Sequence, residues 1–244
     1  MDNAPARTSS LAQRLFYWTC WTVCLVILTF FYRLRRFNTD RIPRHGPVLI
    51  AANHQSHFDP PAIGMCNTSR PTHFIARAGL FTNRAFAWLI SAVNALPIKE
   101  DSGDLGAIRE VLARLETGVP VLIFPEGSRT PDGEIHEFKR GVALLLKRAR
   151  CPVVPVAIEG AYQAFPRTRT LPRLVGQRIA VMVGRPIPHE ELLQHGPEAG
   201  LARLRSEIES MRAELRSKLR ATTSRNRLPP PVRAPVEMDA PGGS

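Results

Sequence analysis

Residues 48–61 read VLIAANHQSHFDPP. Five apolar residues, Val48 to Ala52, run without a polar interruption. Such a run is what a strand buried on both faces of a parallel sheet looks like. A polar loop follows, Asn53 to Phe58. Asp59-Pro60-Pro61 then reads as the start of a helix, with Asp59 as N-cap and Pro60 at the first helical position. A buried strand leading through a short polar loop into a helix is the unit from which α/β sheets are built.

Working outward, the unit recurs. Residues 81–93 read as a helix, and 104–117 place Leu105, Ile108, Val111, Leu112 and Leu115 at helical spacing. Gly118 ends that helix and Val119–Phe124 forms the next strand. A helix over 138–149 precedes a strand at Cys151–Ile158, and Ile179–Val183 is a further strand. Residues 198–220 form an amphipathic helix with Leu201, Leu204, Ile208, Met211, Leu215 and Leu219 on one side, expected to pack on the sheet. The fold class is therefore α/β, a largely parallel central sheet flanked by helices.

An N-terminal membrane-embedded helical segment precedes that sheet. Residues 15–32, LFYWTCWTVCLVILTFFY, are 18 residues without a charge, at the short end of a membrane-spanning length. Arg14 stands before the segment, and Arg33, Arg35, Arg36, Arg41 and Arg44 stand after it. The heavier downstream load orients residues 33–244 toward the cytoplasm if the segment spans. Spanning, shallow embedding and a core helix are the competing readings. A cleaved signal peptide fits poorly, because no small-residue cleavage site precedes the arginines. The organisation expected is an anchoring segment over 1–45, a catalytic domain over 46–221 and a disordered Pro-rich tail over 222–244.

The chain has 244 residues, a formal net charge of +12 and four cysteines, Cys20, Cys24, Cys66 and Cys151. Their spacing suggests neither a metal site nor a disulfide framework, so they read as reduced thiols. The basic balance favours anionic partners: acidic lipid, a phosphorylated substrate or nucleic acid. Arginine supplies most of it, which suits phosphate but equally reflects genome composition. Nucleic acid is not expected, since residues 46–188 lack a basic stretch interleaved with stacking aromatics.

In open α/β sheets, sites gather beyond the carboxyl ends of the strands. Two polar clusters lie there, Asn53–Asp59 and Phe124–Thr130. His54 and Asp59 have the residue types of a base and its orienting carboxylate. The plainer reading is a loop histidine and a capping aspartate. His57 is a second candidate base without an equivalent downstream carboxylate. In the second cluster Gly127 permits a tight turn, and Arg129 can clamp a phosphate. Ser56 is a poor nucleophile candidate, because no Gly-x-Ser-x-Gly elbow surrounds it.

Taken in order, these blocks resemble the glycerolipid acyltransferases, best known from 1-acylglycerol-3-phosphate acyltransferases. Asn53-His54-Gln55-Ser56-His57-Phe58-Asp59 resembles their first block, and Phe124-Pro125-Glu126-Gly127-Ser128-Arg129-Thr130 their third. Phe138-Lys139-Arg140-Gly141 resembles the segment after it, and Val154-Pro155-Val156-Ala157-Ile158 with Gly160 the fourth. The resemblance covers residues 46–188. It implies acyl transfer from acyl-CoA or acyl-carrier protein to the hydroxyl of a lysophospholipid, with phosphatidic acid the expected product. His54 would be the general base and Asp59 its partner. Asn53 and Ser56 would shape the loop at the substrate, and Glu126, Gly127, Ser128 and Arg129 would bind the acceptor. No metal and no tightly bound cofactor is implied. The expected partners are membrane phospholipid and lysophospholipid, and the expected place is the inner or cytoplasmic membrane. The second block departs from the family pattern: Arg77 stands for its lysine, Gly79 for its glutamate and Lys99 for its closing arginine. That departure bears on the acceptor, where a lyso-aminolipid is the nearest alternative. A membrane-associated lipid-binding protein without catalysis is a further alternative.

Overall fold

The computed structural model describes residues 11–82, 84–98, 103–174 and 176–221. The expected tail over 222–244 and Lys99 lie outside the described residues. The chain runs α1 (Leu11–Tyr32), β1 (Arg35–Phe37), β2 (Val48–Ala52), α2 (Asp59–Gly64), β3 (His73–Arg77), α3 (Arg84–Ala92), β4 (Ala95–Ile98) and α4 (Gly103–Glu116). It continues with β5 (Pro120–Ile123), α5 (Arg140–Ala149), β6 (Val153–Glu159), α6 (Ala161–Ala164), β7 (Ala180–Val183), α7 (His189–Leu192) and α8 (Pro197–Ala221).

The seven strands form one sheet in the order β1-β7-β6-β2-β5-β3-β4. Every neighbouring pair is parallel except β6 and β7. β2 lies at the centre, between β5 and β6, and all five of its residues are buried. Its side chains alternate between two layers, as the period of a strand requires. Leu49 and Ala51 join the core under α4, α5 and α8. Val48, Ile50 and Ala52 join the core under α1 and α2. Truncating such a side chain, Ile50→Ala for instance, costs about 2–5 kcal/mol.

Four strands lie where the apolar runs place them. Three more complete the sheet: β1, β3 and β4. β1 precedes residue 46, so the sheet also draws on the segment assigned to the anchor. The helix expected over 81–93 is shorter. Residues Ala78–Phe81 form a 3-10 turn instead, and α3 begins at Arg84. α8 packs on the sheet through Leu204, Ile208, Met211, Leu215 and Leu219, all buried.

α1 has one packed side. Tyr17, Leu28 and Tyr32 are buried, and Trp21, Cys24 and Leu25 are partly covered. These positions fall on one helical stripe, which faces the body of the domain. Leu11, Leu15, Val23, Val26, Ile27, Phe30 and Phe31 lie exposed on the rest. Only 17% of Arg14–Tyr32 is buried, which excludes the core-helix reading; the stretch is long and apolar enough to cross a membrane. Two of its hydroxyls bond within the helix, Thr19 and Thr22 donating to the carbonyls of Leu15 and Trp18.

Candidate active site

The site forms where β2 and β5 end side by side. Asn53 makes the exit from β2. Its Nδ2 donates to the Ile158 carbonyl at 3.0 Å, and its Oδ1 accepts from the Ile158 N–H at 2.9 Å. A side-chain amide thus continues the ladder to β6 while the backbone turns away, which needs a donor and an acceptor on one short side chain.

The His54 peptide is then strapped from the other side. Its N–H donates to Glu126 Oε1 at 2.8 Å, and its carbonyl accepts from the Thr130 N–H at 2.8 Å. The second oxygen of Glu126 accepts from the His136 N–H. Glu126 is therefore a brace between loops, with both oxygens given to backbone amides. Burial pushes its carboxyl above the ordinary value, against the pull of those two amides.

The His54 ring stacks on Phe124, centroids 3.9 Å apart and planes 15° from parallel. Its Nδ1 meets Asp59 Oδ2 at 2.8 Å. A carboxylate can only accept there, so it holds the proton on Nδ1 and leaves Nε2 as the basic nitrogen. Nε2 makes no hydrogen bond among the described residues, and the side chain keeps 17% exposure.

Asp59 is wholly buried, and its Oδ2 also accepts from the backbone N–H groups of Gln55 at 2.5 Å and Ser56 at 2.7 Å. Oδ1 has no partner among the described residues. Burial raises the Asp59 carboxyl above its ordinary value, opposed by His54 and the two amides. The expectation that Asp59 caps its helix is corrected. Asp59 is the first residue of α2, Phe58 is the N-cap, and no side chain caps the helix. The carboxylate points back along the loop because three donors converge there.

Ser56 is also fully buried, and its hydroxyl donates to the Phe165 carbonyl at 2.9 Å. That bond makes it a loop-holding group rather than a nucleophile. His57 is exposed, with its ring tilted against Phe165. Burial lowers its pKa, and the Arg129 guanidinium and His54 push the same way.

Gly127 takes φ +71, and a Cβ there would lie 2.3 Å from Lys139 Cε. The glycine thus lets Lys139 lie flat across the turn. Ser128 is exposed and Arg129 partly exposed at the rim. Arg77 closes β3, its Cα paired with Ile98.

Residues that the sequence reading passed over complete the support. Gln55 Oε1 accepts from the Tyr162 N–H, and Nε2 approaches the Gly133 carbonyl and Glu159 Oε2. Glu159 ends β6 almost fully buried and pairs with Arg212 Nε of α8 at 2.7 Å. Arg212 also reaches Glu134 and donates to the Gly133 carbonyl. A buried chain of polar groups therefore runs from α8 to the residue beside His54. The signals were present: a carboxylate closing an unbroken apolar strand, and Arg212 falling on the apolar stripe of α8.

The acyltransferase family model matches residues 33–159. The chain belongs to the acyltransferase family. The match spans β1 to the end of β6 and so includes both loops of the site. A Streptococcus pneumoniae 1-acyl-sn-glycerol-3-phosphate acyltransferase is 29% identical over 183 residues, 72% of this chain and 65% of that protein. A lyso-ornithine lipid O-acyltransferase from Pseudomonas aeruginosa is 30% identical over 205 residues, 81% of this chain and 76% of that protein. Among solved structures, a 1-acyl-sn-glycerophosphate acyltransferase from Thermotoga maritima superposes with a TM-score of 0.72 at 23% identity, covering 87% of this chain and 85% of that one. This last likeness shows a shared fold. Against the chloroplastic acyltransferases of Arabidopsis thaliana and Brassica napus, the match spans only 38% and 40% of those longer proteins.

Proposed function

We propose that this acyltransferase-family protein moves a fatty acyl group from acyl-CoA or acyl-carrier protein to the free hydroxyl of 1-acylglycerol-3-phosphate, giving phosphatidic acid. The observation that supports it is the buried Asp59 carboxylate on His54 Nδ1, which leaves Nε2 open at the carboxyl end of the sheet. The acceptor hydroxyl gives its proton to Nε2 as its oxygen bonds to the thioester carbonyl carbon. The tetrahedral intermediate then breaks its C–S bond, and the leaving thiolate takes the proton back from the imidazolium. No acyl-enzyme forms and no tightly bound cofactor takes part. Asp59 stabilises the imidazolium through the transfer. Arg129, at the rim beside His57, meets the acceptor phosphate. The reaction takes place at the inner or cytoplasmic membrane, with the site on the cytoplasmic side.

A second acceptor class has its own support. The Pseudomonas aeruginosa relative, named for a lyso-ornithine lipid, aligns over more of this chain than the Streptococcus pneumoniae one. Gly79 also stands where the resemblance leads one to expect an acidic residue. A lyso-aminolipid in place of the phosphate-bearing lysolipid is the alternative reading.

The test is release of free CoA thiol from acyl-CoA by the purified protein in mixed micelles. It is run with 1-acylglycerol-3-phosphate, with a lyso-aminolipid and with no acceptor. Release that needs the phosphate-bearing lysolipid and falls by about 10²–10⁴ in His54→Ala is expected. Equal release by His54→Ala refutes the assigned base. Release only with the lyso-aminolipid selects the second reading, and release without acceptor indicates hydrolysis. Failure with every acceptor and both donor types leaves a lipid-binding protein without catalysis.

A further inference from the structure

The loop joining α6 to β7 lies along the mouth of the site and is tied at both ends to the last turn of α1. It begins at Phe165, whose ring meets both His57 and Phe58 at 5.4 Å. Phe58 in turn lies 4.9 Å from Tyr32, the final residue of α1. The loop ends at Ile179, whose N–H donates to the Tyr32 carbonyl at 3.0 Å. Between these ends Arg167 Nη1 reaches the Arg129 carbonyl at 3.4 Å, so the loop borders the rim as well.

What this loop exposes is unusual for a loop in water. Leu171 is 72% and Leu174 54% exposed. Arg167, Arg169 and Arg173 are exposed around them. No Asp or Glu occurs between Glu159 and Glu190 to balance those charges. The Arg173 N–H donates to the Ala164 carbonyl, which folds the loop back on itself. Beside its roots, Phe30 and Phe31 of α1 are exposed too.

Leucine side chains gain free energy by leaving water, and guanidinium groups gain it beside phosphate. The headgroup region of an anionic bilayer offers both within a few ångströms. A folded acidic protein could satisfy the arginines. It would also have to cover the exposed apolar face of α1, which flanks both roots of the loop, and a bilayer does that without any specific shape. We propose that residues 166–174 form a second membrane contact, laid on an anionic bilayer beside α1, which presents the mouth of the His54 site to the lipid plane. The kinetic part of this inference rests on the acyl-transfer reading; the contact itself does not.

The test uses the full chain. In Leu171→Trp, brominated acyl chains in vesicles of phosphatidylglycerol and phosphatidylcholine should quench emission beyond the quenching of the parent protein. Leu171→Ser/Leu174→Ser should lose about tenfold in transfer to a lysolipid held in those vesicles, and nothing in transfer to a short-chain lysolipid dissolved as monomer. Arg169→Ser/Arg173→Ser should weaken vesicle-dependent transfer about fivefold per arginine on the anionic vesicles, and not on phosphatidylcholine alone. Absence of extra quenching, with an unchanged ratio of vesicle to monomer turnover, overturns the proposal. A loss confined to the carrier-protein donor, whatever the presentation of the acceptor, overturns it in favour of an acidic protein. If the parent transfers nothing in either form, the acyl-transfer reading fails while the quenching still decides the contact.

Discussion

Asp59→Asn separates the charge of this side chain from its shape. Three donors, His54 Nδ1 and the amides of Gln55 and Ser56, all converge on Oδ2, and Oδ1 has no partner among the described residues. An asparagine carbonyl placed at the Oδ2 position keeps all three hydrogen bonds, and its NH2 takes the unpartnered position. The Nδ1–H tautomer of His54 therefore survives; what disappears is the negative charge facing the imidazolium during transfer. Unit charges about 4 Å apart at an effective dielectric constant of about 20 interact by about 4 kcal/mol. That corresponds to roughly 10³-fold in rate. Stability should move the other way or not at all. Burial raises the folded-state pKa of Asp59, so its contribution is full below the ordinary carboxylate range and is lost as pH rises through the raised value. A neutral isostere is spared that loss, and a melting temperature within a few degrees of the parent is expected at neutral pH. Asp59→Ala instead strands two buried amides at about 1–3 kcal/mol each and should melt lower. The assay is lysolipid-dependent thiol release beside thermal unfolding. An Asp59→Asn protein that stays folded and keeps its rate within about threefold would refute the charge argument and reduce Asp59 to a loop brace.

Three further outcomes follow from the geometry. His73 is held down to about 4 by burial, with Arg114 adding to the effect; its contribution is present above the ordinary histidine value and is lost as pH falls toward 4. Stability should drop by about 3 kcal/mol across that window, and His73→Gln should flatten the slope in pH-dependent denaturant titrations. Gly160→Ala should be far worse than Gly127→Ala in the same titrations: at Gly160 a Cβ would lie 1.9 Å from the Arg178 carbonyl, whereas at Gly127 it meets only the flexible Lys139 side chain. About 1–2 kcal/mol is expected for Gly127→Ala from its left-handed backbone alone, and failure to fold for Gly160→Ala. Arg212→Met should cost about 1–3 kcal/mol, because Glu159 keeps Arg216 Nε at 3.2 Å, and adding Arg216→Met should raise the cost to about 3–5 kcal/mol by leaving Glu159 charged and unpaired; equal unfolding midpoints for the single and double variants would contradict this.

The central strands were readable because burial on both faces writes itself as an unbroken apolar run, as in Val48–Ala52 and Val153–Ile158. β3 and β4 were not, because HFIAR and ALPI are short, broken by a histidine and a proline, and belong to one edge of the sheet. β1 is a three-residue edge strand, RRF, whose polar start resembles the flank of a membrane helix. At the site, the His54–Asp59 spacing was visible, yet the direction of the carboxylate was not. It depends on two amides brought round by the loop, which no residue type announces. The link from Gln55 to Arg212 joins residues brought together only by packing of α8 on the sheet, and sequence separation hides it.

The pairing of β1 with β7 has a consequence for synthesis. Arg35 leaves the ribosome early, but its sheet partner is Ala180. β2 likewise waits for both β5 and β6. Throughout that interval α1, uncharged from Leu15 to Tyr32, lacks the domain surface that later covers Tyr17, Leu28 and Tyr32. At the membrane proposed for this protein, the bilayer is the apolar phase that can cover the helix while the chain lengthens. On the proposed membrane location, lipid contact therefore precedes assembly, and the sheet closes onto a helix already placed.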